Sequence, residues 1–197
     1  FSASIQSKGV ILPNPIEVPC EAVGGSRKIV TGGRMKPQKN HAMLIRSFAI
    51  FAKDHPDHTL HIYGGGMLEE KLRDLVRELS LEGKVFLEGG VPDLHEKIKD
   101  AEMFVLSSEF EGMPNVLLEA MMMGIPCVTT TYEGAEELFG DSGSCLMVPV
   151  GDEVAMAWAM ARLDGGPVLR QALSERGTAF ASRFSMDKVI PLWEKEL

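Results

Sequence analysis

Cysteine is scarce in this chain of 197 residues, which contains only Cys20, Cys127 and Cys145. Their odd number and wide spacing argue against a disulfide framework and against a cysteine-based zinc site. Cys127 and Cys145 fall in apolar runs that are typical of strands. We therefore expect reduced cysteines in the core, as in a cytosolic protein.

Positive charge is also in short supply, because 20 Lys and Arg face 28 Asp and Glu, which gives a net charge of −8. A general nucleic-acid or anionic-membrane surface is therefore not expected, and an anion site has to be built locally. No apolar run approaches about 18 residues and no secretion signal is visible, so we expect no membrane span and a cytoplasmic location. The chain also lacks a starting Met, which suggests a piece of a longer protein.

Apolar runs alternate with helical patterns along the chain. The runs predicted as strands are 28–33, 58–66, 84–90, 101–108, 126–131 and 144–149. Helices are predicted at 38–55, 68–79, 94–99, 114–123 and 135–139, and three more start near Asp152, Gly166 and Ser185. This alternation is typical of an α/β fold with a buried parallel sheet of about six strands. The Met-rich helix after Asp152 is expected to pack into the core and to bury Trp158.

Five of the strands run directly into loops that contain glycine: “TGGR”, “YGGGM”, “LEGGV”, “SSEFEGMP” and “TTYEGA”. In an open parallel sheet the carboxyl ends of the strands share one edge, and ligands bind in the crevice outside it. Glycine allows the backbone to come close to a ligand. Five such loops favour a ligand-binding edge over a set of tight turns.

Two acids, Glu111 and Glu119, stand eight residues apart in the segment “EFEGMPNVLLEAMMMG” (109–124). Pro114 suits the first position of a helix, so Glu111 lies in the loop just before a helix start that can bind phosphate. The helix that carries Glu119 is apolar almost all round, and a buried carboxylate needs a partner. The residues alone leave open that both acids simply face water.

The segment “EGMPNVLLEAMMMGIPCVTT” (111–130) closely resembles the signature of the group 1 family of retaining glycosyltransferases, with two glutamates separated by seven residues. These enzymes have the GT-B architecture, in which two Rossmann-like domains face each other across a cleft. The segments “ILPNPIEV” (11–18), “TGGRMKPQKN” (31–40) and “GDSGSCLMVPVGD” (140–152) agree in order. The likeness covers nearly the whole chain, but only the C-terminal, donor-binding half of the family's enzymes.

The resemblance implies one Rossmann-like, doubly wound domain over 1–197 with helices on both faces of the sheet, which binds a nucleotide-diphosphate sugar. Residues 1–26 would be partly linker, and 185–197 would form the C-terminal helix. The acceptor site would lie on a missing N-terminal domain, which could also bring the protein to the inner membrane. We expect this chain to bind the donor and to be inactive alone, because the cleft cannot close.

By the same resemblance the two acids have different tasks. Glu111 is the expected catalytic residue, in contact with the donor sugar at its reacting end. Glu119 would accept hydrogen bonds from the ribose hydroxyls of the nucleotide. The residues expected to surround the sugar and the diphosphate are Gly112, Met113, Pro114, Asn115 and Val116.

Arg34 and Lys39 are the cations that the resemblance places on the diphosphate, and Gly33, at the start of their loop, is also expected to bind the donor. Arg34 ends the first strand and Lys39 opens the next helix, and the loop is tight enough to bring both to one anion. With the helix start they would stabilise the departing diphosphate, so that no metal and no cofactor besides the donor is expected. The residues alone leave open that these cations only form surface salt bridges.

The implied function is a hexosyl-type transferase that retains configuration and serves polysaccharide biosynthesis. Two other functions stay open: an epimerase of the same architecture that acts on nucleotide sugars, and a non-catalytic nucleotide-sugar-binding module. The spacing of the two glutamates favours the transferase over the epimerase. The base, the sugar and the acceptor are not determined by the sequence.

Three histidines, His55, His58 and His61, are close enough in sequence to suggest a metal site. However, His58 and His61 would point to opposite faces of a strand, and His55 lies in a turn. Metal binding by these histidines is therefore not expected.

Overall fold

The computed structural model describes residues 12–196. Six strands are present in this part of the chain: Lys28–Gly32 (β1), Thr59–Tyr63 (β2), Val85–Gly89 (β3), Met103–Leu106 (β4), Cys127–Thr130 (β5) and Leu146–Val148 (β6). Helices α1 to α4 are His41–Phe51, Glu69–Glu78, Leu94–Ile98 and Asn115–Met122. Helices α5 to α8 are Ala135–Phe139, Glu153–Asp164, Pro167–Ala181 and Met186–Glu194.

The predicted strands and helices are all present, with ends that shift by a few residues. The prediction of one helix over 38–55 was too long. Asn40 adopts a left-handed backbone with φ of 43°, and its side chain accepts a hydrogen bond from the amide of Met43. Asn40 therefore separates a short 3-10 turn, Pro37–Lys39, from α1.

The six strands form one parallel sheet in the order β3-β2-β1-β4-β5-β6. The order of the strands reverses between β1 and β4, and such a switch point is where open α/β sheets form a ligand crevice. β1 and β4 pair only through Ile29 with Met103 and Val30 with Phe104. The loops that follow these two strands therefore leave the sheet on either side of the crevice.

Helices cover both faces of the sheet, as predicted. Ile29 and Val105 turn toward a core that α1, α2 and α6 complete, whereas Val30 and Phe104 turn toward a core shared with α3, α4, α5 and α7. Strands that are buried on both faces are almost continuously apolar, which is why these segments are recognisable in the sequence. The sheet is thereby fixed, and its carboxyl edge is a rigid support for loops.

The prediction that Trp158 is buried was wrong, because its side chain is 69% exposed. Helix α6 does bury Met156, Met160 and Leu163, which recur at intervals of four and three residues on one face. Trp158 lies on the opposite face of the same helix. The methionines of this segment are core residues, as expected, and the tryptophan is not.

The first described residues pack along the C-terminal part of the chain. The amide of Ile16 donates to the carbonyl of Phe184 at 2.7 Å, and the indole nitrogen of Trp193 donates to the carbonyl of Pro13 at 3.0 Å. The predicted linker over 1–26 and C-terminal helix over 185–197 fall partly outside the described residues, which exclude 1–11 and Leu197. Between residues 12 and 196, no helix has the length and apolarity that crossing a bilayer requires.

Candidate functional site

Two loops meet at the switch point of the sheet: residues 33–40 after β1 and residues 107–114 after β4. The amide of Glu109 donates to the carbonyl of Gln38 at 2.8 Å, and the Gln38 side chain donates to the carbonyl of Phe110 at 2.9 Å. The hydroxyl of Ser107 donates to the carbonyl of Lys39 at 2.8 Å. These bonds hold the two loops together, so their side chains have fixed relative positions.

Lys39 and Glu111, one from each loop, form an ion pair. The ammonium of Lys39 lies 2.6 Å from Oε1 of Glu111, and the Glu111 side chain is only 6% exposed. The hydroxyl of Ser108 donates to the same carboxylate oxygen. A carboxylate with so little exposure needs such partners, since an isolated buried charge is costly. Oε2 of Glu111 has no hydrogen-bond partner within the described residues, so it can accept a bond from a bound molecule.

Arg34 is exposed and forms no ion pair within residues 12–196. It lines a cavity of about 430 Å³, together with Lys39, Met113, Asn115 and Val116. The structure thus brings both predicted cations to one cavity, beside the start of α4. Glu111 and Glu119 do not line this cavity. Its positive charge comes from Arg34, Lys36 and Lys39, and these side chains suit an anion.

The start of α4 is less open than the sequence suggested. Pro114 lies just before the helix instead of at its first position, with φ of −84° and ψ of 65°. The amides of Asn115 and Leu117 donate to the carbonyls of Met113 and Pro114 at 3.0 Å. In the described part of the chain the amide of Val116 has no such partner. The helix start therefore offers this one donor to the cavity, in addition to its partial positive charge.

Glu119 lies one turn further along α4, half-buried, with 27% of its side chain exposed. Its Oε2 is 3.3 Å from Nε2 of His95, a residue of the short helix α3. The carboxylate therefore has the partner that the sequence required, although His95 itself was not predicted. No sequence signal indicated His95, because α3 is only five residues long and is separated from α4 by β4.

Two titratable groups next to these loops are held neutral by burial. Burial, and then the negative charge of Glu111, raise the pKa of Tyr132 well above its ordinary value, and its hydroxyl has no partner within the described chain. Burial, and then the positive charge of Lys39, lower the pKa of His41 from 6.5 to about 4. Tyr132 and His41 therefore add no charge beside the ion pair of Lys39 and Glu111.

Gly64 and Gly112, two glycines of the carboxyl edge, differ in what surrounds them. Gly64 has φ of 131°, and a Cβ there would lie 2.1 Å from the carbonyl oxygen of Gly33, so close packing of two loops requires glycine. Gly112 has no such neighbour: a Cβ would meet nothing within 4 Å, and its φ is not in the left-handed region. The fold does not require glycine at Gly112. Its side toward solvent is open to a bound molecule.

Comparison with known proteins matches residues 20–180 to the family described as “Glycosyl transferases group 1”. The chain is 35% identical over 162 residues to a Campylobacter jejuni enzyme, N-acetylgalactosamine-N,N'-diacetylbacillosaminyl-diphospho-undecaprenol 4-alpha-N-acetylgalactosaminyltransferase. That match covers 82% of this chain and 44% of the enzyme. The chain is also 30% identical over 172 residues to the lipopolysaccharide core biosynthesis glycosyltransferase LpsD of Rhizobium meliloti, over 85% of this chain and 49% of LpsD.

Among solved structures, the pneumococcal O-GlcNAc transferase GtfA in complex with UDP and GlcNAc superposes with a TM-score of 0.84. The match has 22% sequence identity and covers 95% of this chain and 39% of that chain. At this identity the likeness shows the fold: a Rossmann-like sheet found in GT-B enzymes. The chain spans about half or less of the length of the curated relatives it matches.

Proposed function

Because the chain belongs to the glycosyltransferases of group 1, we propose that it is the donor-binding half of an enzyme that transfers a sugar from a nucleoside diphosphate to an acceptor. The observation that carries this proposal is the pairing of Lys39 with Glu111 at the switch point of the sheet, beside a cavity lined by Arg34. Nucleotides bind at this position in open parallel sheets. The presence of UDP and GlcNAc in the GtfA complex supports a nucleotide sugar as the donor.

The diphosphate of the donor would occupy the cavity between the two loops. Arg34 can offer a bidentate fork to phosphate oxygens, and Lys39 has three N–H donors, of which Glu111 uses one. The free amide of Val116 adds a donor from the helix start. When the bond between sugar and diphosphate breaks, negative charge develops on the leaving oxygen. Donors that are already in position stabilise that charge without reorganisation.

Glu111 would act on the sugar. Lys39 and Ser108 both bind its Oε1, which fixes the plane of the carboxylate and leaves Oε2 to accept from a sugar hydroxyl. A carboxylate at this position also favours the positive charge that develops on the sugar ring as the leaving group departs. We propose transfer with retention of configuration and a hexosyl-type sugar. The open space beside Gly112 would admit the sugar next to the backbone.

Glu119 would hold the ribose of the nucleotide. Its carboxylate is half-buried and oriented by His95, so the remaining lone pairs can accept from the two ribose hydroxyls. The diphosphate end of the donor would then lie toward the start of α4, and the nucleoside toward the end of β3. No metal is required in this arrangement, because Arg34 and Lys39 supply the positive charge.

The acceptor half of the enzyme would lie on a separate N-terminal domain. The Campylobacter relative acts on a lipid-linked sugar and the Rhizobium relative on lipopolysaccharide core, so we propose an acceptor of bacterial surface polysaccharide assembly. Such an acceptor would bring the complete protein to the inner membrane. A binding module without catalysis is the alternative that turnover of the complete protein would establish or exclude.

Calorimetry of the purified chain with UDP, GDP and ADP tests the donor site. We expect one of these nucleotides to bind, and Arg34→Ala and Glu119→Ala to weaken that binding about tenfold to a hundredfold, because a hydrogen bond to a charged group contributes about 1.5–3 kcal/mol. Arg73→Ala is the matched control, since Arg73 is a surface residue of α2 paired with Glu69. Unchanged affinity in both site variants would refute the site, and no binding of any nucleotide would refute the proposed donor.

A further inference from the structure

At the amino-terminal edge of the sheet, opposite the proposed donor site, two histidines and an aspartate converge. His55 and His58 lie in the turn between α1 and β2, and Asp164 ends α6. One ligand atom from each of these three residues lies within 4.8 Å of the other two. Nδ1 of His55 is 2.7 Å from Oδ2 of Asp164, and Nε2 of His58 is 3.3 Å from Oδ1.

Glu102, the residue before β4, adds a second carboxylate to this group. Its Oε2 lies 2.9 Å from Nε2 of His58, so that one imidazole nitrogen faces an oxygen of Glu102 and an oxygen of Asp164. A neutral imidazole has one N–H and can donate to only one of them. A metal ion placed among the ligand atoms of His55, His58 and Asp164 would instead accept lone pairs from both imidazoles and from the Asp164 carboxylate, with Glu102 beside them.

The arrangement around the cluster suits ligands of a metal ion. The ring of Phe51 stacks on His55 at 4.2 Å and meets the edge of His58 at 5.0 Å, so both imidazoles are held in place. The outer oxygen of Glu102 is bound by Arg170 at 3.1 Å, which orients the carboxylate from behind. Nδ1 of His58 has no hydrogen-bond partner within the described residues, and when the proton of the ring resides there, Nε2 is free to bind a metal ion.

An ion can reach the cluster from solvent. His58 is buried, but the side chains of His55 and Asp164 are 23% and 16% exposed. Glu102 and Asp164 also line a cavity of about 580 Å³. Arg27 and Arg170 offset the charges of the two carboxylates, and Arg27 is 58% exposed, so it can turn toward water when an ion arrives.

From these contacts we propose that His55, His58 and Asp164, with Glu102 beside them, form a binding site for one divalent transition-metal ion of the Zn²⁺ class. In proteins Zn²⁺ binds imidazole nitrogens and carboxylate oxygens at about 2.0–2.2 Å. Small rotations of these side chains would bring their ligand atoms to that distance from the ion. The ion would link the turn before β2 to the end of α6. Its role would be structural and independent of the donor site, which lies at the other edge of the sheet.

The test is zinc titration of the chain after removal of any purification tag and of bound metal by a chelator. We expect one Zn²⁺ per chain by calorimetry, a rise in melting temperature on binding, and with Co²⁺ the visible absorption of a low-coordinate site with nitrogen and oxygen ligands. His55→Gln and Asp164→Asn should each weaken Zn²⁺ binding more than tenfold. His61→Gln should bind like the wild type, since His61 pairs with Glu88 outside the cluster.

Circular dichroism establishes that each variant is folded. His55 and Asp164 are both partly exposed, so we expect substitutions there to be tolerated. If one of the two variants does not fold, Zn²⁺ binding by the other variant tests the proposal. The proposal is overturned if the wild-type chain binds no stoichiometric Zn²⁺, or if the folded ligand variants bind Zn²⁺ as tightly as the His61→Gln control. A Co²⁺ spectrum identical to that of the aqueous ion would also overturn it.

Discussion

His95 is the residue that gives Glu119 its orientation, and its contribution to nucleotide binding can be measured. Its ring donates toward the Glu119 carboxylate from α3, at 3.3 Å. We expect His95→Leu to weaken binding of the preferred nucleoside diphosphate about twofold to tenfold, because a typical hydrogen bond contributes about 0.5–1.5 kcal/mol. His95→Gln keeps a donor and should recover most of the affinity in calorimetry. Equal affinities for the Leu variant and the wild type would show that Glu119 needs no such support.

His41 should make the chain less stable in mild acid. Its side chain is only 3% exposed, and burial, followed by the charge of Lys39, lowers its pKa from 6.5 to about 4. Above pH 6.5 the residue is neutral in both states and has no effect. Between pH 6.5 and pH 4 the His41 imidazole is protonated in the unfolded chain but stays neutral in the folded chain. The free energy of unfolding therefore falls as the pH falls.

Urea unfolding at pH 7.5 and pH 5 measures this effect. The His41 contribution is a loss of roughly 2 kcal/mol at pH 5, which follows from the two pKa values. His41→Gln should remove most of that loss, whereas His61→Gln, which changes a less buried histidine, should retain it. If the free energy of unfolding falls equally between pH 7.5 and pH 5 in the wild type and in His41→Gln, the assignment of the pH dependence to His41 is refuted.

At the scale of loops and helices, two glycines of the carboxyl edge should respond differently to alanine. Gly64→Ala places a Cβ against the Gly33 carbonyl and strains a φ of 131°, so we expect at least about 2 kcal/mol of destabilisation in urea. Gly112→Ala meets no atom of the chain and should change stability by less than about 0.5 kcal/mol. If Gly112 adjoins the donor, the same variant should weaken nucleotide-sugar binding. A Gly112→Ala chain with normal stability and normal donor affinity would contradict this.

The starts of α6 and α8 form a second matched pair. Asp152 and Ser185 each stand immediately before the first residue of their helix, at the N-cap position. Only Asp152 accepts from a helix amide, that of Ala155 at 2.8 Å, whereas the hydroxyl of Ser185 donates backward to the carbonyl of Ser182.

Asp152→Ala should therefore cost about 1 kcal/mol in urea unfolding, as the loss of a cap usually does. Ser185→Ala should cost less than about half of that, because no helix amide loses its partner. The reverse order of the two stabilities would show that the hydrogen bonds seen at these positions do not decide helix stability here.

For the molecule as a whole, we expect this chain to bind the donor without transferring the sugar at an ordinary rate. The chain spans under half of the Campylobacter relative. If it is the donor-binding half, as proposed, the acceptor site and the domain that closes the cleft lie outside it. We expect donor binding by calorimetry but release of nucleoside diphosphate at less than about 0.01 per second, against typical enzyme turnover of about 1 per second or more. Turnover in the ordinary range by the chain alone would show that one domain suffices for the reaction.

The fold was predictable because each strand and each helix has a recognisable pattern within its own stretch of sequence. Strands buried on both faces are continuous apolar runs, and glycines mark their ends, so the six strands and eight helices between residues 12 and 196 could be predicted. The order of the strands is a property of the assembled sheet and could not be deduced from these patterns. Trp158 was misjudged because its helix is covered on one face only, and a short apolar segment does not show which face that is.

The positions of the candidate residues were predictable where a motif fixes the spacing, as for Glu111 and Glu119, or where a short loop limits the reach, as for Arg34 and Lys39; their roles stay predictions. Contacts between distant segments were not. His95 meets Glu119 across 24 residues, and His55 meets Asp164 across 109 residues. No periodicity connects such pairs. The spacing of the histidines was therefore the only sequence feature that bore on a metal site, and the sequence did not indicate the carboxylates of Asp164 and Glu102.

The contact between the first and last described segments has a consequence for protein engineering. Pro13 and Trp193 touch, and Ile16 pairs with Ser185, so in a chain cut back to residues 12–196 a short added linker could join these two segments into a closed ring. New ends opened in the exposed turn at Gly83, between α2 and β3, would cut no strand of the sheet. A circularly permuted chain of this design keeps both edges of the sheet intact.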